Sequence, residues 1–234
     1  MPVITVIADD SFGSGSVPGD TIPGTGEPTG TGVAGRLLIS VVAIQGSGAS
    51  SATISLPTAP GPWVSIGDWF CNGGSGNEVH VAAAYRITDQ SDSPDTQFTW
   101  TFSGTFDASV VNTVYSGIST SDPIDTVQQN PTCNPGNAGS LIVAPAITTT
   151  IANDLLVDVF AAAGAKNSST LTVGSPLGPI VDQDNSSLGP ADFNAYAITT
   201  NLSPGEGSPG SYGPYAAIQG ASGESLAVQI SVQP

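Results

Sequence analysis

The single histidine, His80, is the first residue that could serve as a catalytic base. A nucleophilic triad needs such a base beside an activated serine, which in hydrolases often lies in a Gly-x-Ser-x-Gly turn. His80 stands between Val79 and Val81, so we expect it on the strand face opposite these valines, exposed to solvent. No Gly-x-Ser-x-Gly turn accompanies it in the sequence. The pattern therefore favours an ordinary surface histidine over a catalytic one.

Carboxylates are the next groups that could do chemistry, because a pair of them can hydrolyse a glycosidic bond. The candidates for such a pair are Asp68, Glu78, Asp107, Asp158, Asp182 and Asp184. Nothing in their spacing pairs one with another, and carboxylates are the commonest charged groups in this chain. A hydrolase is therefore a weaker expectation than a protein without catalytic activity.

Two acidic segments offer side-chain oxygens of the kind that calcium binds. One contains Asp89, Asp92 and Asp95, and the other contains Asp182 and Asp184. Neither has the twelve-residue loop with a central glycine and a terminal glutamate that marks an EF-hand. We expect solvated turns here, with a structural calcium ion as the alternative, and no other cofactor.

Four aromatic residues near turns could contact a sugar or a protein partner. Trp63 and Trp69 flank a short segment, residues 65–68, that is interpreted as a turn, and Tyr212 and Tyr215 lie in a Gly/Pro-rich stretch. Aromatic residues of this kind are also used for packing in the core or between subunits. The sequence leaves both roles open.

The two cysteines, Cys71 and Cys133, lie in segments rich in Gly, Asn and Pro. They could be free surface thiols, or they could form one loop-to-loop disulfide after release into an oxidising medium. A zinc site is not expected, because there is neither a Cys-x-x-Cys pair nor a second histidine.

Composition narrows the classes of function. Three Lys and Arg residues against 19 Asp and Glu give a formal charge of −16. Such a chain cannot neutralise a run of phosphates, so nucleic-acid binding is not expected. The N-terminus has no basic region followed by a long apolar one, so neither a signal peptide nor a membrane span is expected. Hydrophobic residues make up 39% of the chain and occur in clean runs, which favours a folded protein.

Short apolar runs separated by turn residues predict strands throughout the chain after Gly35. Trp100 alternates with Phe98 and Phe102, so these three aromatic side chains are predicted to share one buried face. Residues 146–154 are the best helix candidate, but they are rich in Thr and Ile and have no amphipathic stripe. The predicted strands are 36–44, 52–56, 78–88, 97–103, 110–115, 140–144, 155–161, 171–173, 193–199, 215–218 and 226–232. This pattern predicts an all-β, antiparallel β-sandwich, similar to a jelly roll.

Residues 1–34 differ from the rest of the chain, because glycines and prolines recur every few positions after a short alternating strand. We expect an extended N-terminal arm. The apolar residues at its tip, Val3, Ile4, Val6 and Ile7, would add a strand to an exposed sheet edge on a neighbouring molecule.

A weak internal repeat divides residues 35–234 into halves of about 35–120 and 140–234. Residues 37–46 match 155–164, at an offset of 118, and residues 84–88 match 195–199, at an offset of 111. Either two small tandem domains or two halves of one sandwich would explain the repeat. We favour a single sandwich, because five strands with few aromatic residues make a marginal core.

Several packing and turn motifs after Gly35 resemble a β-sandwich module of bacteriophage virion proteins and bacterial surface proteins. They are the Gly35–Ile39 strand start, Pro62-Trp63, Ala84-Tyr85, Phe98-Thr99-Trp100, Tyr115-Ser116-Gly117 and Pro123-Ile124-Asp125. The resemblance implies a structural part of a virion or cell surface and transfers no catalytic residue.

Together these patterns predict a non-enzymatic virion protein, of the capsid decoration or head or tail fibre type, assembled in the host cytoplasm. Its partners would be other virion proteins and copies of itself, in a homo-oligomer that could be a trimer. The alternative is an adhesin of the bacterial surface that binds a host glycan or receptor.

Overall fold

A computed structural model describes residues 4–14, 21–23, 33–58, 61–72, 78–90, 92, 98–135, 141–165, 172–173, 180–186, 191–201, 207–218 and 224–234. Apart from one short 3-10 turn, Ala49–Ser51, its regular elements are strands, and all their pairings are antiparallel. The predicted all-β antiparallel sandwich is therefore confirmed.

The first half of the chain supplies eight of the described strands. They are β1 (Thr5–Ser14), β2 (Thr21–Pro23), β3 (Leu37–Gly46), β4 (Ile54–Ser55), β5 (Val64–Cys71), β6 (Glu78–Ile87), β7 (Thr99–Phe102) and β8 (Asp107–Ser116). The first large sheet has the order β1-β8-β3-β6-β5. Strands β2, β7 and β4 form a small sheet, which we call the first cover.

The second half repeats this arrangement. Its described strands are β9 (Ile124–Val127), β10 (Thr132–Pro135), β11 (Leu141–Ala144), β12 (Ile147–Thr149), β13 (Leu155–Ala165), β14 (Thr172–Val173), β15 (Ile180–Ser186), β16 (Ala191–Asn201), β17 (Gly210–Tyr212), β18 (Tyr215–Ile218) and β19 (Glu224–Val232). The second large sheet has the order β10-β19-β13-β16-β15, with β9 also paired to β19. Strands β11, β18 and β14 form the second cover, and β12 pairs with β17.

The two large sheets pack face to face on one apolar core. Alternate residues of β3, such as Leu37 and Val41, point into it, and Leu155 and Val159 do so from β13. Strands β5, β6, β8 and β19 contribute further side chains to the same cluster. Because successive side chains of a strand point to opposite faces, the remaining residues of the central strands point outward. The two covers bury those outward residues.

The repeat extends to the irregularities of the sheets. β5 has a bulge between Ser65 and Gly67, and β15 has one between Ile180 and Asp182. The residues paired with the first bulge are Ala84 and Ala83 of β6, and those paired with the second are Ile198 and Ala197 of β16. We call a row of paired residues across neighbouring strands a rung. The two bulges lie between equivalent rungs of the two sheets, since 198 − 84 and 197 − 83 are both 114. A bulge twists and bends a strand, so each half curves its outermost strand at the same level.

The edge strands of the other side are also irregular at one shared rung. β1 has a bulge between Val6 and Ala8, where it pairs with the end of β8. On the equivalent side of the second sheet, β9 has a register shift where it pairs with β19. Thr126 lies opposite Ser231 and Ile124 lies opposite Val232, so Asp125 is the extra residue. Strand β1 is continuous, whereas its counterpart is divided into β9 and β10, which occupy successive stretches of the same edge of β19.

Candidate functional site

The N-terminal segment adds its strand β1 to the edge of the chain's own first large sheet. Thr5–Ser14 pairs with β8 along almost its whole length, from Thr5 opposite Ser116 to Ser14 opposite Ala108. Ile4 belongs to the central core and is 3% exposed. The strand is thus longer than the predicted tip, and the edge that receives it belongs to the same molecule. Of the other predicted arm residues, Val6 and Ile7 lie in β1, and Val3 lies outside the described residues.

β1 forms one of two seams at which the large sheets meet side by side. At this seam β1 contacts β15, and at the opposite seam β5 contacts β9 and β10. The two seams are equivalent in the repeat, because β15 corresponds to β5 and β1 corresponds to β9 with β10. They differ in how they are held.

A disulfide between Cys71 and Cys133 joins β5 to β10, with the two Cα atoms 5.2 Å apart. The structure thus contains the bonded form of the two cysteine alternatives, and its half-cystines lie on strands rather than in loops. The indole nitrogen of Trp69 donates to the backbone oxygen of Gln128 at 3.1 Å across the same seam. This seam is closed covalently.

The register identifies the positions at the β1–β15 seam that correspond to the disulfide. Cys133 lies on the rung that crosses β13 at Ala161. The corresponding rung of the first half crosses β3 at Ala43, since 161 − 118 = 43, and reaches β1 at Gly13.

The other half-cystine has its counterpart on β15. Cys71 lies on the rung of Gln45, and 45 + 118 = 163. The rung of Ala163 reaches β15 at Ser186. Gly13 and Ser186 therefore occupy the positions at the β1–β15 seam that correspond to the two cysteines of the disulfide-linked β5–β10 seam. The chain has no other cysteine than these two.

The two tryptophans considered for sugar contact are buried. Trp69 is 6% exposed and belongs to the central core, and Trp63 is 9% exposed and packs on Phe98 beneath the first cover. The segment between them is strand β5 with its bulge rather than a turn. Neither indole offers a free face on which a sugar ring could stack. Tyr212 and Tyr215 are half-buried, and the Tyr212 hydroxyl donates to the backbone oxygen of Ser208.

His80 points away from the central core, as predicted, but it is only 3% exposed, so the prediction of a solvent-facing side chain is wrong. The short turn after β3 covers it. Its Nδ1 lies 2.9 Å from the backbone oxygen of Ala49, and its Nε2 bonds to the carboxylate of Asp68. Both ring nitrogens thus have an oxygen atom as partner.

Ser50, which follows Ala49 in the chain, hydrogen-bonds to a carboxylate. Ser50 donates both its backbone NH, at 2.9 Å, and its hydroxyl, at 2.7 Å, to Glu78 Oε2. The Ser50 hydroxyl and its backbone NH hold the pKa of Glu78 below its usual value. Both ring nitrogens of His80 face other oxygen atoms, and the Ser50 hydroxyl is bonded to Glu78. No described hydrogen bond therefore joins this serine to the histidine, as a triad requires.

The acidic segment at residues 89–95 is organised by a guanidinium group. Both carboxylate oxygens of Asp92 accept from Arg86 Nη2, at 2.6 and 2.7 Å, and Asp92 Oδ2 also accepts from the backbone NH of Asp89. Arg86 and Asp92 are both buried, whereas Asp89 is exposed. The Asp92 oxygens that calcium would need thus serve an ion pair. Asp95 lies outside the described residues, and Asp182 and Asp184 lie on β15.

Asp158 interrupts the apolar sequence of β13 and is completely buried on the outward face of the second large sheet. Its cross-strand neighbour Gln229 donates to Oδ1 at 2.6 Å. Burial raises the pKa of Asp158 to about 7, although the bond from Gln229 acts in the opposite direction. Asp158 Oδ2 and Gln229 Oε1 have no partner among the described residues, and when the acid is ionised neither atom can donate a hydrogen bond to the other. A proton on Oδ2 turns one of them into a donor.

A second buried acid, Asp154, directly precedes the same strand and lies near Asp125. Burial, with Asp125 beside it, raises the pKa of Asp154 to about 7, while Ser231 donates to its Oδ2 at 2.5 Å. Burial also acts to raise the pKa of Asp125, but hydrogen bonds from Thr150 and Ile151 hold it below its usual value. Asp154 therefore takes up a proton more readily than Asp125 does.

Sequence reasoning did not single out Asp154, Asp125 or the Arg86–Asp92 pair. A signal existed only for Asp158, which is the one charged residue in the apolar run 155–163. It was considered as half of a glycosidase pair, but it is paired with an amide. Asp154 and Asp125 come together only through the pairing of β9 with β19 and of β19 with β13.

Within the described ranges, no three His, Cys, Asp or Glu side chains converge as a metal site would require. In the same part of the chain, no helix has the length and apolar character needed to cross a membrane. Comparison with protein-family models, curated proteins and solved structures gives no match. The resemblance to virion and surface modules therefore stays a prediction.

Proposed function

We propose that this chain is a non-enzymatic structural component of a bacteriophage virion, of the capsid decoration or head or tail fibre type, held in the particle by its N-terminal segment. The observation that carries this proposal is the strand β1. A segment rich in Gly and Pro delivers ten residues to the edge of a sheet and places Ile4 in the core. Strand addition of this kind supplies main-chain hydrogen bonds along a whole edge and is a recurring means of protein attachment.

The polar groups of the described residues support a structural role. His80 lies between a carbonyl and a carboxylate, Arg86 is paired with Asp92, and Asp158 is paired with Gln229. His80, Arg86 and Asp158 are buried, and each forms its hydrogen bonds with neighbouring strands or turns. Such partners fix the packing of the strands and leave no activated nucleophile among these groups.

Charge and covalent structure support assembly on a particle that leaves the cell. A chain with three Lys and Arg residues offers few sites for trypsin-like proteases, which suits an exposed surface. The disulfide across the β5–β10 seam suits a protein that meets oxidising surroundings after it folds. We take its partners to be copies of itself and other virion proteins, with assembly in the host cytoplasm.

The test is incorporation of the chain into particles of its native source. Deletion of residues 2–32 is expected to abolish incorporation, but the deletion also removes Ile4 from the core. A locked variant, Gly13→Cys with Ser186→Cys, avoids this difficulty because it ties β1 to β15 and keeps the strand in place. If the segment anchors the chain elsewhere in the particle, the oxidised locked variant stays out of the particle.

Matched controls complete the experiment. Each single variant, Gly13→Cys or Ser186→Cys, should incorporate like the natural chain, because neither locks the segment. Thermal unfolding and circular dichroism establish that the locked variant is folded. Full incorporation of the folded, locked chain would show that the chain is not anchored by release of β1 and its binding to another molecule of the particle.

A further inference from the structure

The N-terminal segment supplies two described strands, Thr5–Ser14 and Thr21–Pro23, to sheets of the first half. Strand β1 lies against β8, and β2 lies against β7 in the first cover, so this one segment completes two sheets of the first half. Its contacts with those sheets are the same whether the segment and the sheets belong to one molecule or to two. Exchange of an identical element between copies therefore costs little in contact energy.

The repeat shows which parts of the molecule are kept from such an exchange. The counterpart of β1 is the pair β9 and β10, which follows β8 in the chain and precedes β11. It is stapled by Cys71–Cys133 and by the bond from Trp69 to Gln128. The corresponding positions at the other seam are Gly13 and Ser186, which cannot form a staple. Of two equivalent edges, one is closed covalently and the other is held by strand pairing and packing.

The connection between the segment and the rest of the half has the composition and length that an exchange requires. Residues 24–32, Gly-Thr-Gly-Glu-Pro-Thr-Gly-Thr-Gly, contain four glycines and one proline and link β2 to the stretch before β3. Nine residues can span about 30 Å when extended. That reach is comparable to the width of a large sheet, since five strands at about 4.8 Å spacing span about 20 Å.

We propose that the N-terminal segment is exchanged between copies of this chain, so that β8 of one molecule receives β1 of another. This inference rests on the proposed function in treating the segment as the assembly element, and it names the partner as a second copy rather than a different virion protein. In an isolated molecule, the edge of β8 is occupied by the molecule's own segment, because the linker keeps that segment close. A high local concentration of the chain, as on a growing particle, lets the segments of other molecules compete for this edge and so favours the exchanged form.

The experiment uses cysteines at the two positions that the register identifies. One full-length chain carries Gly13→Cys, and a second, distinguished by an affinity tag, carries Ser186→Cys. The two are refolded together at high protein concentration, oxidised, and analysed by non-reducing electrophoresis and peptide mass spectrometry. Exchange predicts a covalent heterodimer in which the peptide with residue 13 is bonded to the peptide with residue 186. Its yield should exceed that of a matched mixture of two Gly13→Cys chains roughly tenfold or more, because strand pairing raises the effective thiol concentration.

The double variant, with both substitutions in one chain, serves as the geometric control at low protein concentration. It should form an internal disulfide, since the two positions correspond to Cys71 and Cys133. The proposal is overturned if the double variant forms its disulfide but mixed single variants give no heterodimer above the matched mixture. It is equally overturned if the double variant does not cross-link at all, because the equivalence of the seams then fails. Loss of particle incorporation on locking, without any heterodimer, would leave the proposed function standing and reject exchange between copies.

Discussion

The two halves of the molecule build the same layers from different side chains. The cluster between the first cover and the first large sheet contains Trp100, Phe98, Phe102 and Trp63. The cluster between the second cover and the second large sheet is mostly alanine, around Phe160 and Ile142. The same difference appears on one shared rung, which carries Ser40 and Asn112 in the first half and Asp158 and Gln229 in the second. Backbone register is thus retained while the means of filling and satisfying the outer layer has diverged.

On the shared rung, Ser40 and Asp158 find hydrogen-bond partners of different kinds, while the amide of Asn112 has no partner among the described residues. Ser40 accepts a hydrogen bond from the indole nitrogen of Trp100 at 2.9 Å. Asp158 has no aromatic donor and bonds to Gln229 instead, with its pKa raised to about 7. An indole donor imposes no dependence on pH near neutrality, whereas a buried acid does.

The largest expected effect comes from emptying the aromatic layer. Trp100→Ala should lower the free energy of unfolding by about 3–5 kcal/mol, because it opens a cavity and leaves Ser40 without its donor. Phe160→Ala in the second half should cost less, since its neighbours are small and no hydrogen bond is lost. Urea unfolding of both variants measures the difference. Equal losses would mean that the two outer layers contribute alike to stability.

Removing the covalent staple should have the next largest effect. Cys71→Ser with Cys133→Ser is expected to lower stability by about 2–5 kcal/mol, because the bond joins residues 62 apart and restricts the unfolded chain. The double substitution avoids a lone thiol at the seam. Denaturant unfolding of the variant and the oxidised natural chain provides the measurement. An unchanged midpoint would show that the β5–β10 seam, like the β1–β15 seam, is held by pairing and packing.

The buried Asp158 predicts a loss of stability as the pH rises, which its counterpart Ser40 in the first half cannot show. Asp158 titrates near 7 when folded and near 3.9 when unfolded, so its neutral form is favoured by folding. Its contribution is fully present below pH 4 and is lost as the pH rises to about 7. Asp158→Asn should therefore stabilise the protein at pH 8, relative to its effect at pH 4, by on the order of 1–3 kcal/mol.

Ser40→Ala is the matched control for this pH dependence, because the pair in the first half that corresponds to Asp158 and Gln229, Ser40 and Asn112, contains no titrating group. Its effect on stability should be the same at pH 4 and pH 8. The difference between variant and natural chain also cancels the opposite trend expected from Glu78 and Asp125, whose lowered pKa values make their contributions fade as the pH falls. A pH-independent effect of Asp158→Asn would mean that folding leaves the pKa of Asp158 unchanged.

The smallest expected effect is at the rim of the first half. Asp68→Asn keeps an acceptor for His80 but removes the negative charge, and the Asp68 side chain is 54% exposed. We expect a loss of about 0.5–1 kcal/mol, since interactions of exposed carboxylates are screened by solvent. Thermal unfolding at low and high salt measures it. A loss as large as that of Trp100→Ala would place this pair among the main supports of the fold.

Most of the central strands could be predicted from the sequence, because buried antiparallel strands of this kind are continuous or alternating apolar runs. Strands β3, β6, β13 and β19 lie close to the predicted segments, and Phe98, Trp100 and Phe102 share a buried face as predicted. The edge strands were harder. β5 contains a glycine and a bulge, and β10 consists of Thr-Cys-Asn-Pro, so both carry the composition of turns.

The repeat itself was visible in sequence, but its second match was misaligned. The ladder places Ile87 opposite Leu37 and Asn201 opposite Leu155, which is an offset of 114 rather than 111. A shift of three residues changes which face each side chain occupies, because the side-chain period of a strand is two. Only the pairing in the sheet shows which residues correspond.

The amino-acid order by itself determined the all-β class, the central strands and the acidic, cation-poor surface, since these follow from local alternation and from composition. Only the tertiary structure decided that His80 and Trp69 are buried, that Cys71 meets Cys133, and that the N-terminal strand lies on β8. These contacts join residues dozens of positions apart. Their formation depends on which sheet edges remain open and on how bulges bend the strands, and neither is written in any short stretch of the chain.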